Sequence, residues 1–440
     1  MATNSTLTGW GLIGKDGREL RSEDLAAITR GARLTRGLGR SYGDSSLPAN
    51  GNAVAASPLA DRILAFDADS GLLEAEAGLS LAEINRLFWP RLWSSPVLPG
   101  TQQITLGGMV AADVHGKNHH RDGTFGRHVE RLAMRLADGR LVTTSRRERP
   151  ELFRATLGGM GLTGHILEVA VRLQPIPTPW IWAESERIAG VDEFIDALRA
   201  AAGEWPFTVG WFDALATGRD LGRGILIKGR WAEPSEAPAE PPPPKRRLAV
   251  PLTLPNWTLN RLSMWLFNQL YFRQHPRRAK RGIVHPESFF HPLDGIEHWN
   301  RIYGRRGFTQ HQSVLPEAER PGAARRLLEE LTSRRGLSFL CVIKDCGAEG
   351  EGLLSFPRPG ISIAIDLPAG PGIQDLIDAL NRQVLAEGGR IYLAKDTFAK
   401  SADFRAMEPR LAAFDSARRR WDPERQLASA QSVRLFGDRP

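Results

Sequence analysis

Residues 36–45 read RGLGRSYGDS, and the interpretation of the whole chain starts from this glycine-rich stretch. Its three glycines have no side chains to cover the backbone, so successive amide N–H groups can point at one anion. Ser41 adds a hydroxyl donor. The stretch therefore predicts a loop that binds a diphosphate. A purely structural turn needs the same glycines, so both interpretations stay open for this stretch alone.

A second stretch, residues 99–120, reads PGTQQITLGGMVAADVHGKNHH. The pair Gly107-Gly108 lets backbone approach a flat ligand closely, and two alanines at 111 and 112 leave room for it. Three histidines follow at 115, 119 and 120. No carboxylate or thiolate stands near them at ligand spacing and Lys117 would repel a cation, so a metal site is disfavoured.

Residues 159–164, GMGLTG, match the GxGxxG pattern of dinucleotide-binding Rossmann folds. That pattern requires a strand before the glycines and a helix after them. Here a helical stretch precedes the glycines and an alternating strand, 166–173, follows. A pyrophosphate would find no helix N-terminus, so the Rossmann interpretation is disfavoured.

Length and composition predict a folded chain of two or three units, with 440 residues, 42% hydrophobic and 25% charged. The net charge of +8 suits a phosphate-bearing partner, an anionic membrane surface or a merely solvated basic surface. No nucleic-acid-binding motif is present, and we expect no nucleic-acid partner. Cys341 and Cys346 are too few for a disulfide framework and predict reduced thiols in a cytoplasmic protein.

Regular elements are predicted along the whole chain. Ser80 and Glu83 form a capping box before a helix, and Asp138-Gly139 predicts a hairpin turn. Helices are predicted over 192–202, 321–335 and 372–387. Between them, residues 232–247 are Pro-rich and predict an extended, exposed insertion.

Residues 256–282 combine many large apolar side chains with a closing run of Arg and Lys. A helix of this kind can lie in the membrane interface, on the inner face of the membrane, with the basic run near anionic lipid. It can equally be a core helix with a solvated end. No run of about 18 apolar residues is long enough to cross a bilayer, so membrane contact would be peripheral.

Several motifs together resemble one family. RGLGRSYGDSS, PVLPGTQQITLGGMVAADVHGKNHH, TFGRHV, ATLGGMGLTGHI, FFHPLD, GGRIYLAKDTFAKSADFRAMEPRL and WDPERQLAS are similar to the FAD-linked oxidases of the vanillyl-alcohol oxidase superfamily. VHGKNHH and IYLAKD resemble the branch of decaprenylphosphoryl-ribose 2-oxidases. The resemblance implies an α+β, two-domain PCMH-type fold. Residues 1–175, completed by 391–440, would bind FAD, and 176–390 would form a substrate domain of antiparallel sheet flanked by helices.

The resemblance also implies a set of FAD contacts. They are Thr35, Arg36, Gly37, Leu38, Gly39, Arg40, Ser41, Tyr42, Gly43, Asp44, Ser45, Gly100, Thr105, Leu106, Gly107, Gly108, Ala112, Asp113, Val114, His115, Ile166 and Tyr392. Relatives that attach FAD covalently use a histidine in the first loop. Arg40 stands there in this chain, which implies non-covalent FAD.

By the same resemblance, Lys395, His115, Lys117 and Gln312 are expected to be catalytic. Lys395 would stand beside N1 of the flavin, where negative charge accumulates on reduction, and without the resemblance it could equally be an exposed lysine at a strand end. Substrate-binding residues would be Trp211, Phe290, Lys344 and Ala364. Trp211 suits plain core packing equally well, Ala364 replaces a cysteine of several relatives, and Phe290 replaces a tyrosine.

The implied reaction is oxidation of C2 of a polyprenyl-phosphoryl ribose to the 2-keto sugar. It would be the first half of an epimerisation to the arabinose form, completed by a reductase partner. The alternative is an aldonolactone or alditol oxidase acting on a soluble sugar derivative. A non-enzymatic, nucleic-acid-binding basic protein is the third and least favoured hypothesis, because the motifs above would then have no role.

Overall fold

The computed structural model describes residues 2–276 and 279–440. In the first 175 residues the strands are β1 (Ala2–Thr8), β2 (Gly14–Arg21), β3 (Leu34–Arg36), β4 (Ala53–Ala56), β5 (Ile63–Asp67), β6 (Leu72–Glu76), β7 (Trp93–Ser94), β8 (Val129–Arg135), β9 (Leu141–Ser145), β10 (His165–Arg172) and β11 (Gln174–Pro175). The helices there are α1 (Leu25–Ile28), α2 (Leu81–Phe88), α3 (Leu106–Ala111), α4 (His119–Asp122) and α5 (Pro150–Thr156).

The rest of the chain has longer helices. Its strands are β12 (Ile181–Ile188), β13 (Phe207–Phe212), β14 (Gly224–Trp231), β15 (Leu248–Ala249), β16 (Lys280–Val284), β17 (Ile296–Glu297), β18 (Phe308–Leu315), β19 (Cys341–Cys346), β20 (Gly360–Pro368) and β21 (Arg390–Ile391). Its helices are α6 (Val191–Glu204), α7 (Arg261–Gln274), α8 (Pro286–Phe290), α9 (Ala323–Ser333), α10 (Ile373–Ala386), α11 (Ser401–Met407), α12 (Leu411–Trp421) and α13 (Ala430–Phe436).

Three sheets organise these elements. The first has the order β1-β2-β4-β3 and is partly parallel, and the second, β5-β6-β10-β8-β9, is antiparallel. The third is an eight-stranded antiparallel sheet with the order β16-β12-β14-β13-β19-β20-β18-β21. The predicted α+β class is confirmed.

The structure contains the helix start, the hairpin and the three helices that the sequence predicts, and differs from the predictions in their details. Ser80 caps α2 by accepting from the Glu83 amide, but the reciprocal half of the capping box is replaced by a Glu83–Arg86 ion pair. The hairpin at Asp138-Gly139 joins β8 to β9, with Gly139 at a φ of +86°. Helices α6, α9 and α10 lie within two residues of the bounds expected from periodicity.

The eight-stranded sheet separates helices from a cavity. A Cβ at Gly210 would meet Phe194 of α6, which places Gly210 and its partner Ile343 on the helix-covered face. Successive side chains of a strand alternate between faces, so Val342 and Lys344 point to the opposite face. That face closes the cavity described below.

The C-terminal helices pack back on the N-terminal part. Arg434 of α13 donates to Asp44 at 2.7 Å and to Asp396 at 2.9 Å. The fully buried Arg418 of α12 pairs with Asp438 at 2.8 Å. These charged contacts fix the loop after β3 to the segment after β21.

The segment 256–282 is not one helix, contrary to expectation. Helix α7 ends at Gln274, shortly before Pro276, and residues 280–284 form β16, which pairs with β12. Pairing of 280–284 with β12 satisfies edge backbone groups of β12 that a continued helix would leave unpaired, and Pro276 disfavours that helix. Arg277 and Arg278 of the expected basic run lie outside the described residues.

Candidate active site

A cavity of about 1760 Å³, measured with its open mouth, lies between the N-terminal loops and the eight-stranded sheet. One wall, here called the loop wall, comes from residues 37–41 and 105–108. The opposite wall, here called the sheet wall, comes from β18, β19 and β20 together with residues 392–395. Stretches more than 300 residues apart in sequence thus enclose one volume.

Most of the expected cofactor contacts line this cavity. They are Thr35, Gly37, Leu38, Gly39, Arg40, Ser41, Tyr42, Ser45, Gly100, Thr105, Gly107, Gly108, Ala112, Val114, His115, Ile166 and Tyr392. Five others lie behind the lining, namely Arg36, Gly43, Asp44, Leu106 and Asp113. Arg36 anchors the first loop by donating to Thr8 O at 2.7 Å, and Asp113 accepts from the Gly126 amide at 2.8 Å.

The loop wall offers free backbone donors. Among the described residues, none of the amide N–H groups of 37–41 donates a hydrogen bond to a protein acceptor. Gly39 has a φ of +66°, which turns successive amides toward the same side. A concave row of amides without protein acceptors fits the diphosphate of a dinucleotide.

Glycines are also needed where the two loops meet. A Cβ at Gly37 would collide with the hydroxyl of Thr105, which itself caps α3 by accepting from the Gly108 amide. A Cβ at Gly107 would lie 3.1 Å from the Ala77 side chain. A side chain at Gly37 would push the two loops apart, and one at Gly107 would displace Ala77 or α3, so either would distort the loop wall.

The GxGxxG stretch has a place in the wall that sequence reasoning missed. Met160, Gly161 and Gly164 line the cavity, with φ values of +52°, +78° and +153°. The stretch connects α5 to β10 and so follows a helix and precedes a strand, as the sequence order indicates. The stretch lines part of the cavity and does not provide the helix N-terminus that a Rossmann fold uses to bind a pyrophosphate.

Strand register builds the sheet wall. Gln310 lies directly across from Asp366, and Gln312 directly across from Ala364. On the other side of β20, Val342 is opposite Ala364 and Lys344 is opposite Ser362. Directly opposed residues share a face, so these polar side chains form one patch.

His115 joins two of the expected residues. Its Nδ1 lies 3.0 Å from Lys344 Nζ, and its Nε2 lies 3.2 Å from the side-chain nitrogen of Gln312. Burial and then the nearby Lys344 hold the pKa of His115 well below its usual value, so the ring is neutral at pH 7. Burial also lowers the pKa of Lys344 to about 8.

Lys395 lies at the other end of the patch. Its Nζ is 3.8 Å from the centre of the Tyr42 ring, a cation–π contact. Burial lowers the pKa of Lys395, opposed by the carboxylate of Asp366 and reinforced by Lys344. Burial raises the pKa of Asp366, whose carboxylate accepts from the Gln310 amide.

Three expected site residues lie outside the lining. Lys117 Nζ donates to the Phe290 carbonyl at 3.0 Å, and burial followed by repulsion from Lys344 lowers its pKa to about 7. Phe290 is fully buried against Phe207 and Trp231. Trp211 shares the face of Val342, but its indole donates to Phe339 O and packs on α7.

The structure adds lining residues that sequence reasoning did not single out. They include Trp10, Leu293, Asp294, Trp299, Gln310 and Leu340. Gln310 could have been found, because it precedes Gln312 by two positions in the same strand and therefore shares its face. Asp294 and Trp299 lie in short 3₁₀ helices, Pro292–Gly295 and Trp299–Tyr303, which are too short to show a periodic sequence signal.

The histidines after His115 contact protein groups through one ring nitrogen each. His119 Nδ1 accepts from the Gly347 amide at 3.1 Å, and His120 Nε2 lies 2.9 Å from Trp205 O. Within residues 2–276 and 279–440, no group of three or more His, Cys, Asp or Glu is arranged to hold a metal ion. Protein groups engage these rings instead.

Comparison with known proteins identifies the same fold and cofactor. Residues 22–145 match a family described as an FAD binding domain. The decaprenylphosphoryl-β-D-ribose oxidase of Mycolicibacterium smegmatis is 34% identical over 98% of each chain. An uncharacterized Streptomyces coelicolor protein is 32% identical over 81% of this chain and all of its own, and a putative D-arabinono-1,4-lactone oxidase of Neurospora crassa is 27% identical over 26% of this chain and 20% of its own.

The fold and the cavity define an FAD-dependent oxidoreductase, with loops that fit the dinucleotide and an opposed patch of buried polar side chains. Because the similarity to the M. smegmatis protein extends over nearly the whole of both chains, the chain belongs to the decaprenylphosphoryl-ribose oxidase family.

Proposed function

We propose that this enzyme oxidises the C2 hydroxyl of a polyprenyl-phosphoryl ribose to the ketone. The observation that carries the proposal is the sheet wall, where Lys344, His115, Gln312 and Lys395 converge in one cavity. These groups can hydrogen-bond sugar hydroxyls and move a proton. The M. smegmatis relative is named for this class of sugar, whereas the lactone-oxidase relative matches only a quarter of the chain.

FAD, when bound, supplies a two-electron acceptor for the hydrogen on the carbon being oxidised. The amides of 37–41 would hold its diphosphate, and the residues of the sheet wall would face the reacting part of the cofactor. Arg40 replaces the histidine that would link to the ring, so the cofactor is non-covalent. The remaining expected contacts, including Thr105, Ile166 and Tyr392, shape the space around it.

Lys395 is the proposed proton acceptor. Its lowered pKa provides a neutral amine more readily than an exposed lysine does, and that amine can take the hydroxyl proton. It then becomes an ammonium, which offsets negative charge that accumulates nearby. His115 and Gln312 would orient the sugar, and Lys344 would hold His115 by donating to Nδ1.

The remaining expected residues have supporting roles in this proposal. Lys117 contributes positive charge behind Lys344, while Trp211 and Phe290 fix the strands and α8 around the pocket. Ala364 leaves the centre of the sheet wall open. We keep the division into 1–175 with 391–440 and 176–390 as part of the proposal, with residues 392–395 of the first unit contributing to the sheet wall.

We also propose peripheral membrane contact through α7. Its buried residues are Met264 and two amides, Asn268 and Gln269, and Asn268 donates to Asp213 at 2.7 Å. Its outward residues are apolar, with Leu262 71% exposed and Leu270 55% exposed. This inverted pattern exposes apolar surface that a lipid bilayer would cover.

No helix among the described residues could span a membrane. We propose that the enzyme works at the cytoplasmic face of the membrane, which it reaches by surface contact, and passes its ketone to a reductase partner. Co-sedimentation with anionic vesicles tests the contact. Leu262→Ser should reduce binding, Leu141→Ser on the exposed end of β9 should not, and equal binding by both variants would contradict the contact.

The oxidation itself is tested by anaerobic photometry of the purified protein. Farnesylphosphoryl ribose should bleach the flavin absorbance, while D-arabinono-1,4-lactone should not. Bleaching by the lactone alone would favour the alternative, a lactone oxidase acting on a soluble substrate. A protein that takes up no FAD would contradict both.

A further inference from the structure

A second, smaller cavity adjoins the large one at its mouth. The two share Trp10, Arg40, Asp294 and Trp299. The smaller cavity is otherwise lined by Gln103, Arg247, Ile296, Glu297 and His298. A path therefore leads from the sheet wall past Arg40 to the surface formed by β15 and β17.

Arg40 is the unexplained group on this path. Its guanidinium lies 4.0 Å from the centre of the Trp10 ring and donates no hydrogen bond to any described residue. Its Nε is buried without a partner. Buried donors are rarely left unpaired, and a guanidinium is never deprotonated, so an acceptor from a ligand is expected here.

The carboxylates nearby leave both arginines available. Asp294 forms no ion pair within 4.0 Å of Arg40 in the described chain, and its two oxygens accept from Thr101 Oγ1 at 2.8 Å and the Gln102 amide at 2.7 Å. Among residues 2–276 and 279–440, Glu297 is the one ion-pair partner of Arg247, at 3.9 Å, and the Glu297 side chain is half exposed. Glu297 can therefore swing away when an anion arrives.

Beyond the arginines the surface is apolar. Leu248 is 72% exposed, Leu252 is 73% exposed and Ile296 is 40% exposed, and β15 pairs with β17 to bring Leu248 beside Ile296. The path thus passes from polar side chains to guanidinium groups and then to aliphatic surface. A prenyl-phosphoryl sugar has the same order of sugar, phosphate and hydrocarbon.

We propose that Arg40 and Arg247 form a subsite for the phosphodiester of the prenyl-phosphoryl substrate. The inference rests on the proposed function, because it assigns the substrate of the same cavity. A guanidinium fork matches phosphate oxygens in bidentate fashion, and Trp10 holds one fork in place. The phosphates of FAD share this chemistry, so a test must separate the two sources.

The test uses FAD-loaded protein with Arg40→Met or Arg247→Met, and farnesyl phosphate as the probe in a calorimetric titration. Each substitution should weaken farnesyl phosphate binding at least tenfold and leave farnesol binding unchanged. The affinity of the Arg247→Met apoprotein for FAD should match wild type, which separates the substrate phosphate from the phosphates of FAD. With farnesylphosphoryl ribose, KM of Arg247→Met should rise while its limiting rate of flavin reduction stays within twofold.

Arg246→Met is the matched control, since Arg246 is exposed and forms no ion pair among the described residues. It should bind farnesyl phosphate as wild type does. Unchanged farnesyl phosphate binding in Arg40→Met and Arg247→Met would overturn the subsite, and so would a tenfold loss of FAD affinity with intact probe binding.

Failure of the proposed function would look different. Wild-type protein would then bind farnesyl phosphate through Arg40 yet show no flavin reduction by farnesylphosphoryl ribose. Wild-type protein that binds no farnesyl phosphate at all would overturn the subsite, whatever the outcome of the reduction assay.

Discussion

The two walls of the large cavity bind by different means. The loop wall presents backbone amides of 37–41 and glycines that admit no side chain, whereas the sheet wall presents buried ionisable side chains such as Lys344 and Lys395. The loop wall depends on glycines that have no side chains, and the sheet wall depends on the side chains that it presents. Deleting ionisable side chains of the sheet wall should therefore impair the reaction, and adding side chains to the glycines of the loop wall should impair FAD binding.

The largest expected effect is the loss of Lys395. Lys395→Met should lower the rate of flavin reduction by substrate about 10²- to 10⁴-fold, the range for removing a general base, and should leave FAD bound. Stopped-flow photometry measures the rate, and the visible spectrum measures the FAD content.

Lys400→Met is the matched control. Lys400 lies five residues further on, is 59% exposed and pairs with Asp378 outside the cavity, so its loss should change the rate less than twofold. Equal rates of flavin reduction in wild type and Lys395→Met would show that Lys395 takes no part in the reaction.

The loop wall is tested by adding a side chain. Gly37→Val should weaken FAD binding about 10- to 100-fold, because overpacking costs about 1–3 kcal/mol and the new atoms would displace Thr105. Fluorescence titration of the apoprotein with FAD measures the affinity. Gly203→Val, where a Cβ has open space, should bind FAD as wild type does. An unchanged affinity in Gly37→Val would contradict the close loop contact.

The loop wall was the more predictable of the two from sequence. Its glycines and Thr105 lie in two short continuous stretches, so a local pattern was enough to locate most of the lining. The sheet wall depends on register between β18 and β20, which pairs Gln310 with Asp366 across 56 residues. Sequence alone carries no signal for that register, and the pair was missed.

The same distinction explains Phe290 and Trp211. Both were placed in the pocket by motif, but side-chain direction depends on tertiary packing. The Phe290 side chain packs in an aromatic cluster, and the Trp211 side chain packs on α7. Helix α7 likewise looked like a core helix or a membrane helix by composition, and only the fold places its apolar side outward.

The sheet wall should also respond to pH. The pKa of Lys395 is lowered from 10.5, so the fraction of neutral amine increases as the pH rises toward that lowered pKa. At pH values below the pKa, the rate of flavin reduction should therefore increase about tenfold per pH unit. Lys344→Met removes a like charge, so the midpoint should move to higher pH. A profile that is flat, or unmoved in Lys344→Met, would contradict this coupling.

The smallest effect is expected at Ala364, which is nearly buried and sits between Gln312 and Val342. Ala364→Cys adds a thiol that the alcohol oxidation does not use, so the rate of flavin reduction should change less than twofold. Thiol labelling verifies that the new cysteine is present, because Cys341 and Cys346 are buried. A tenfold change in rate would show that this position of the sheet wall takes part directly.

The central claim is that one cavity holds FAD on its loop wall with the redox-active ring facing Lys395. A dye-equilibrated redox titration of bound FAD tests it, because a nearby cation stabilises the reduced anionic ring and raises its midpoint potential. We expect Lys395→Met to have a lower potential than wild type and Lys400→Met to match wild type. Identical potentials for Lys395→Met and wild type, with FAD bound in both, would contradict the claim.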